Sequence, residues 1–106
     1  MRHAFIGVCA FCVFLLPAAA QTPKPSFDCA KARGQVEQLI CKSSGLSALD
    51  VEKAGLLRRA RAGATTPDAV NAEEDLWLSY RNGCLDTACL ADAYRRRITE
   101  LHRWVN

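Results

Sequence analysis

Beyond residue 27, apolar residues recur at helical spacing, and no stretch alternates as a strand would. Val36, Leu39 and Ile40 fall at i, i+3 and i+4 and predict a short helix over 35–42, bounded by Gly34 and by Ser43-Ser44-Gly45. Ser47, three residues ahead of Asp50, reads as a variant capping box. It would open a helix from Ala48 to Ala62 that buries Leu49, Leu56, Leu57 and Ala60. Gly63 reads as its C-terminal cap. Thr66-Pro67 starts a third helix, because proline at the first helical position forfeits no bonded amide, and Asp68 suits the positive end of that helix. Val70, Leu76, Trp77 and Tyr80 mark its inner face, and Asn82-Gly83 its end. After a turn at residues 85–87, Leu90, Tyr94, Ile98, Leu101 and Val105 give the last helix the most regular period in the chain. Short connections imply antiparallel neighbours. The expected fold is therefore all-α, a small helical bundle or hairpin of three to four helices.

The first twenty residues follow a different pattern. Arg2 and His3 precede an apolar run from Ala4 to Leu16, then Pro17 and Ala18-Ala19-Ala20. That is a secretory signal peptide with a small-residue cleavage site before Gln21. Its apolar run of thirteen residues falls short of the roughly 20 needed to cross a bilayer, so stable membrane insertion is not expected. Cys9 and Cys12 leave with this segment. Neither resembles a lipid-accepting cysteine, since each is followed by further apolar residues. "QTPKPS", residues 21–26, reads as a flexible leader with two prolines, and the domain proper runs from 27 to 106. The expected location is periplasmic or secreted.

Composition sharpens this picture. Cleavage leaves 86 of the 106 residues and removes one charged side chain, Arg2, taking the formal net charge from +3 to about +2. That balance does not suggest a nucleic-acid binder. A domain this small buries only about 60% of its unfolded surface, and disulfides are the expected supplement.

Four cysteines remain: Cys29, Cys41, Cys84 and Cys89. An even number in a short exported chain reads as a disulfide framework with three possible connectivities. Zinc is disfavoured because the spacings are C-x11-C and C-x4-C, outside the usual C-x2-C pattern. Thioredoxin-like redox work would want C-x-x-C beside a βαβ pattern. On one straight helix Cys29 and Cys41 would lie about 18 Å apart, beyond the roughly 4.4 to 6.8 Å a disulfide spans. Their pairing requires a chain reversal, expected at Gly34. Cys84 and Cys89 would point about 140° apart on one helix, so bonding them must pinch a turn between two helices. The local pairing, 29 with 41 and 84 with 89, is preferred; pairings that join the first segment to the last hairpin are the alternative.

No constellation for catalysis stands out. The one mature histidine, His102, lies among arginines near the carboxyl end, where a solvated role is expected. Glu73, Glu74 and Asp75 occupy successive helical positions, so they diverge and read as surface charge complementing the helix dipole. Trp77 and Tyr80 are expected to pack in the core with Tyr94. Arg95-Arg96-Arg97 spreads around its helix and reads as a solvated face, available to an acidic partner or a lipid surface. No glycine-rich phosphate loop is present. The protein is expected not to be an enzyme, and no cofactor or metal is implied.

"PSFDCAKARGQVEQLIC", "LSALD" and "LWLSYRNGCLDTACLADAYRRRITEL" together resemble the LprI-type lysozyme-inhibitor domain, a family of small exported bacterial proteins. The resemblance runs from Pro25 to Leu101 and is carried by Phe27-Asp28-Cys29-Ala30, Val36-Glu37, Ile40-Cys41, Leu49-Asp50, Trp77, Arg81, Cys84, Cys89-Leu90, Tyr94, Arg97, Ile98 and Leu101. Glu74 stands where the family usually has glutamine, and Asn82 where it usually has an acidic residue. The resemblance implies a helical, disulfide-bonded cell-envelope protein that binds lysozyme. A lysozyme cleft presents two catalytic carboxylates, so an inhibitor should offer cationic or hydroxyl donors. Arg33 beside Gly34, and Lys42, Ser43 and Ser44 in the loop behind Cys41, are the candidates. Against long-range steering, this chain is slightly basic, as animal-type lysozymes are. Readings from other classes are an envelope stress or structural factor and an immunity protein against a secreted toxin.

Overall fold

The computed structural model describes residues 23–105. The expected signal peptide and cleavage site lie outside the described residues. A 3-10 turn, Cys29–Lys31, is followed by helices α1 (Gln35–Lys42), α2 (Ser44–Gly63), α3 (Pro67–Asn82) and α4 (Thr87–Val105), with no strand among the described residues. The fold is an all-α, disulfide-stapled bundle of four helices.

The three long helices run up, down and up, so α2 and α4 are parallel. Asp50 meets Tyr94, Lys53 and Arg97 share Glu74, and Leu57 and Ala60 cluster with Ile98 and Leu101, so residue numbers rise together on both helices. Helix α3 runs against both: Val70 lies beside Leu101 in one cluster, while the Trp77 indole donates to the Ala93 carbonyl at 3.0 Å. The apolar core is divided. Val36, Ile40, Leu46, Trp77, Cys84, Leu90, Ala93 and Tyr94 fill the end capped by α1. Leu56, Leu57, Ala60, Val70, Ile98 and Leu101 fill the other.

Two disulfides hold the connections at the α1 end. Cys29–Cys41 ties the 3-10 turn to the last turn of α1 with Cα atoms 5.9 Å apart, and Cys84–Cys89 pinches the α3–α4 turn with Cα atoms 5.6 Å apart. The local pairing is thus the one formed. The reversal it needs passes through residues 32–34, with Gly34 capping α1 at an ordinary extended φ of −74°. Asp86 caps α4, its carboxylate accepting from the Cys89 amide at 2.8 Å.

Several sequence expectations are corrected. Helix α2 starts at Ser44, four residues before Ala48, because Ser43 takes the cap position and accepts the Leu46 amide at 3.1 Å. Ser47 is instead buried in the helix and donates to the Ile40 carbonyl at 2.8 Å, while Asp50 points into the core. Gly63 is the last helical residue, and Ala64, in extended conformation, follows it. The inner face of α3 is Val70, Glu74, Trp77 and Arg81; Leu76 and Tyr80 face outward. At the leader's end Pro25 is buried, and the Ser26 amide donates to Asp50 Oδ2 at 2.6 Å.

Candidate functional site

Between the two apolar clusters lies a charged layer. One Glu74 carboxylate binds Lys53 Nζ through Oε1 at 2.6 Å and Arg97 Nε through Oε2 at 3.1 Å. At the edge, Arg97 Nη1 also reaches Glu100 at 3.3 Å and the more distant Glu73 at 3.6 Å. Glu74 and Arg97, both read as surface charges from their neighbours in sequence, are buried here. The reason is periodicity: Glu74 sits four residues after Val70 and three before Trp77, and Arg97 three after Tyr94 and four before Leu101, on the faces that pack. Burying these charges is tolerable only because each is paired and hydrogen-bonded.

A second network adjoins it. The Tyr94 hydroxyl donates to Asp50 Oδ1 at 2.7 Å and accepts from Arg81 Nη1 at 3.3 Å. Arg81 also grips Asn82 Oδ1 through Nε and Nη2 at 3.1 and 2.9 Å. Burial, and then the bonded Asp50 carboxylate, push the Tyr94 phenol well above its ordinary ionisation range. Trp77 stands between the networks. Its ring meets Tyr94 edge to face at 5.0 Å, with Lys53 Nζ 4.8 Å from its centroid and the Arg81 guanidinium 5.9 Å away. These groups hold one another, and none forms a nucleophile–base pair open to a substrate. One donor stands apart: Arg97 Nη2 is buried with no acceptor among the described residues.

The residues proposed to meet a partner fall in two places. Lys42 is exposed at the end of α1, Ser43 is the single residue between α1 and α2, and exposed Ser44 opens α2, so the expected loop is a tight corner. The Ser43 hydroxyl is occupied as a cap. Arg33 is exposed at the opposite end of α1, about 12 Å away along a helix of that length. Cys29–Cys41 braces the Lys42 end. All four described cysteines are in disulfides, and no group of three His, Cys, Asp or Glu among the described residues is placed to hold a metal ion. His102 is exposed beside Arg58 and Arg59.

A concavity lies elsewhere, a groove of about 840 Å³ between α3 and α4. Leu76 and Tyr80 form one wall, Arg96, Arg103 and Trp104 the other, and Trp77, Ala93 and Arg97 lie along it between them. Sequence reading missed this feature because Leu76 and Trp77 are adjacent. Neighbouring helical positions diverge by about 100°, so only one of the two can face the core, and Glu74 and Arg81 fix which. Tyr80, four residues after Leu76, follows it to the outside.

No family model matches the chain. No solved structure matches it either. Among curated proteins it is similar to lipoprotein LprI of Mycobacterium tuberculosis and of Mycobacterium bovis. Each is 29% identical over 109 aligned positions, covering 92% of this chain and 55% of the relative. The chain thus spans about half the length of the curated relatives it matches. The relationship to LprI is distant and extends over nearly all of this chain. Among the described residues no helix is long and apolar enough to cross a membrane.

Proposed function

We propose that this protein is exported and works by binding another protein, without chemistry of its own, and that a lysozyme is the partner it inhibits. The reading is supported by the likeness to LprI over 92% of the chain and by the resemblance to the lysozyme-inhibitor domain that its motifs carry. Two disulfides suit an oxidising compartment.

The observation that carries the contact surface is the α1–α2 corner. Lys42, the last residue of α1, is exposed beside a one-residue connection held by the Ser43 cap and the adjacent Cys41 disulfide. A preorganised cation loses little freedom on binding. Its ammonium is suited to a cleft lined by two carboxylates, with Ser44 as a hydroxyl donor and Arg33 as a second cation at the far end of α1. The test is an inhibition assay of the purified, oxidised mature protein against several lysozyme types on cell-wall substrate. Inhibition is expected, weakened about tenfold or more by Lys42→Glu. No inhibition of any type at micromolar concentration sinks the reading.

A further inference from the structure

Three large apolar side chains are exposed on one side of this small protein: Leu76 at 75%, Tyr80 at 55% and Trp104 at 39%. They converge on the α3–α4 groove. Converging exposed apolar residues, in contrast to scattered ones, mark an interaction site. The groove also carries Arg96 and Arg103, and tryptophan, tyrosine and arginine are the residues that dominate binding hot spots.

The cations free to meet a ligand there are Arg96 and Arg103. Of the two acids in the groove, Glu100 accepts from Arg97, and Glu73 accepts from the Trp104 indole at 3.2 Å while facing Arg97. Arg103 has no salt bridge among the described residues. Arg96 has only an exposed i,i+4 contact with Asp92, of the kind that contributes little. From Ala93 to Trp104 the α4 wall extends about 16 Å, three helical turns.

We infer that the α3–α4 groove docks an amphipathic acidic segment of a partner protein, about three helical turns long, that lays apolar side chains between Tyr80 and Trp104 and carboxylates against Arg96 and Arg103. The groove is concave, so it fits a ridge of side chains in the helix-in-groove manner better than a flat lipid surface. A second copy of the chain would bring its own net positive charge. This docking site is separate from the α1–α2 corner and shares with the lysozyme reading only that the partner is a protein.

The test uses the oxidised mature protein and two synthetic amphipathic peptides of about 16 residues. Both carry Leu and Phe at i, i+3, i+4 and i+7, one with Glu and the other with Lys at the polar positions. Calorimetry and tryptophan fluorescence, to which Trp104 in the groove responds, read the binding. The Glu peptide should bind and the Lys peptide should not. Tyr80→Ala and Leu76→Ala, both at exposed positions, should each weaken binding about tenfold, with unchanged circular dichroism. Arg103→Glu should reverse the peptide preference. The inference is overturned if the Glu peptide does not bind below about 1 mM, if the Lys peptide binds equally, or if the alanine variants bind as the parent does. It is overturned equally if phosphatidylglycerol vesicles bind with the same dependence on Tyr80 and Leu76. Because Lys42 is absent from the groove, lysozyme inhibition and peptide docking succeed or fail separately.

Discussion

Glu74 pairs with two cations through one carboxylate, and all three side chains are buried, at 6% exposure for Lys53, 3% for Glu74 and 1% for Arg97. Removing that carboxylate strands Lys53 in a low dielectric and leaves Arg97 only its edge contacts with Glu100 and Glu73. Glu74→Gln is expected to destabilise the protein by about 3–5 kcal/mol, read as a lower urea midpoint. Replacing the three together by apolar residues of similar volume should recover most of that loss, since a filled apolar layer needs no pairing. Tyr94 makes a pH-dependent contribution. In the unfolded chain its phenol ionises near pH 10, whereas the fold holds it protonated above that value. Below that pH both states keep the proton and stability is constant. Above it the unfolded state releases the proton first, so stability falls as pH rises. Thermal melts across that range should show this alkaline loss in the parent. Tyr94→Phe should lack that component, while losing about 1–3 kcal/mol at neutral pH through the weakened Asp50 partnership.

At the scale of elements, the start of α2 decides how rigid the α1–α2 corner is. The sequence offers three serines, Ser43, Ser44 and Ser47, and the pattern of Ser47 with Asp50 is the one that reads as a capping box. Ser43 wins because α1 ends at Lys42, and burying Ser47 against the Ile40 carbonyl lets α1 fold directly onto α2. Ser43→Ala should therefore cost about 1 kcal/mol and loosen the amides of residues 44–46 in hydrogen exchange. Exchange protection at residues 44–46 unchanged by that substitution would contradict the assignment of the cap. Helix α3 holds the same kind of lesson. Its length and its start at Pro67 were legible from local chemistry, but its inner face was not, because polar Glu74 and Arg81 occupy positions that hydrophobicity alone assigns to solvent.

For the whole molecule, the disulfides supplement a core split by charge. Cys29–Cys41 closes a loop with a sequence separation of 12 and Cys84–Cys89 one of 5. Chain-entropy reasoning assigns them about 3 and about 2 kcal/mol. Replacing Cys29 and Cys41 by alanine should lower the melting temperature more than replacing Cys84 and Cys89, and scanning calorimetry compares the two pairs. The sequence by itself determined that the described chain is helical and where its helices lie to within a few residues, and it favoured the local disulfide pairing over pairings to the last hairpin. Periodicity, proline and glycine placement and the reach of a disulfide are local properties and can be read locally. The tertiary structure alone decided which polar residues go inside and which apolar residues stay out. Whether Glu74 is a surface charge or the centre of the core depends on Lys53 and Arg97 arriving from two other helices. Whether Tyr80 is core or groove wall depends on where α4 passes, and neither fact is contained in a residue's own neighbourhood along the chain.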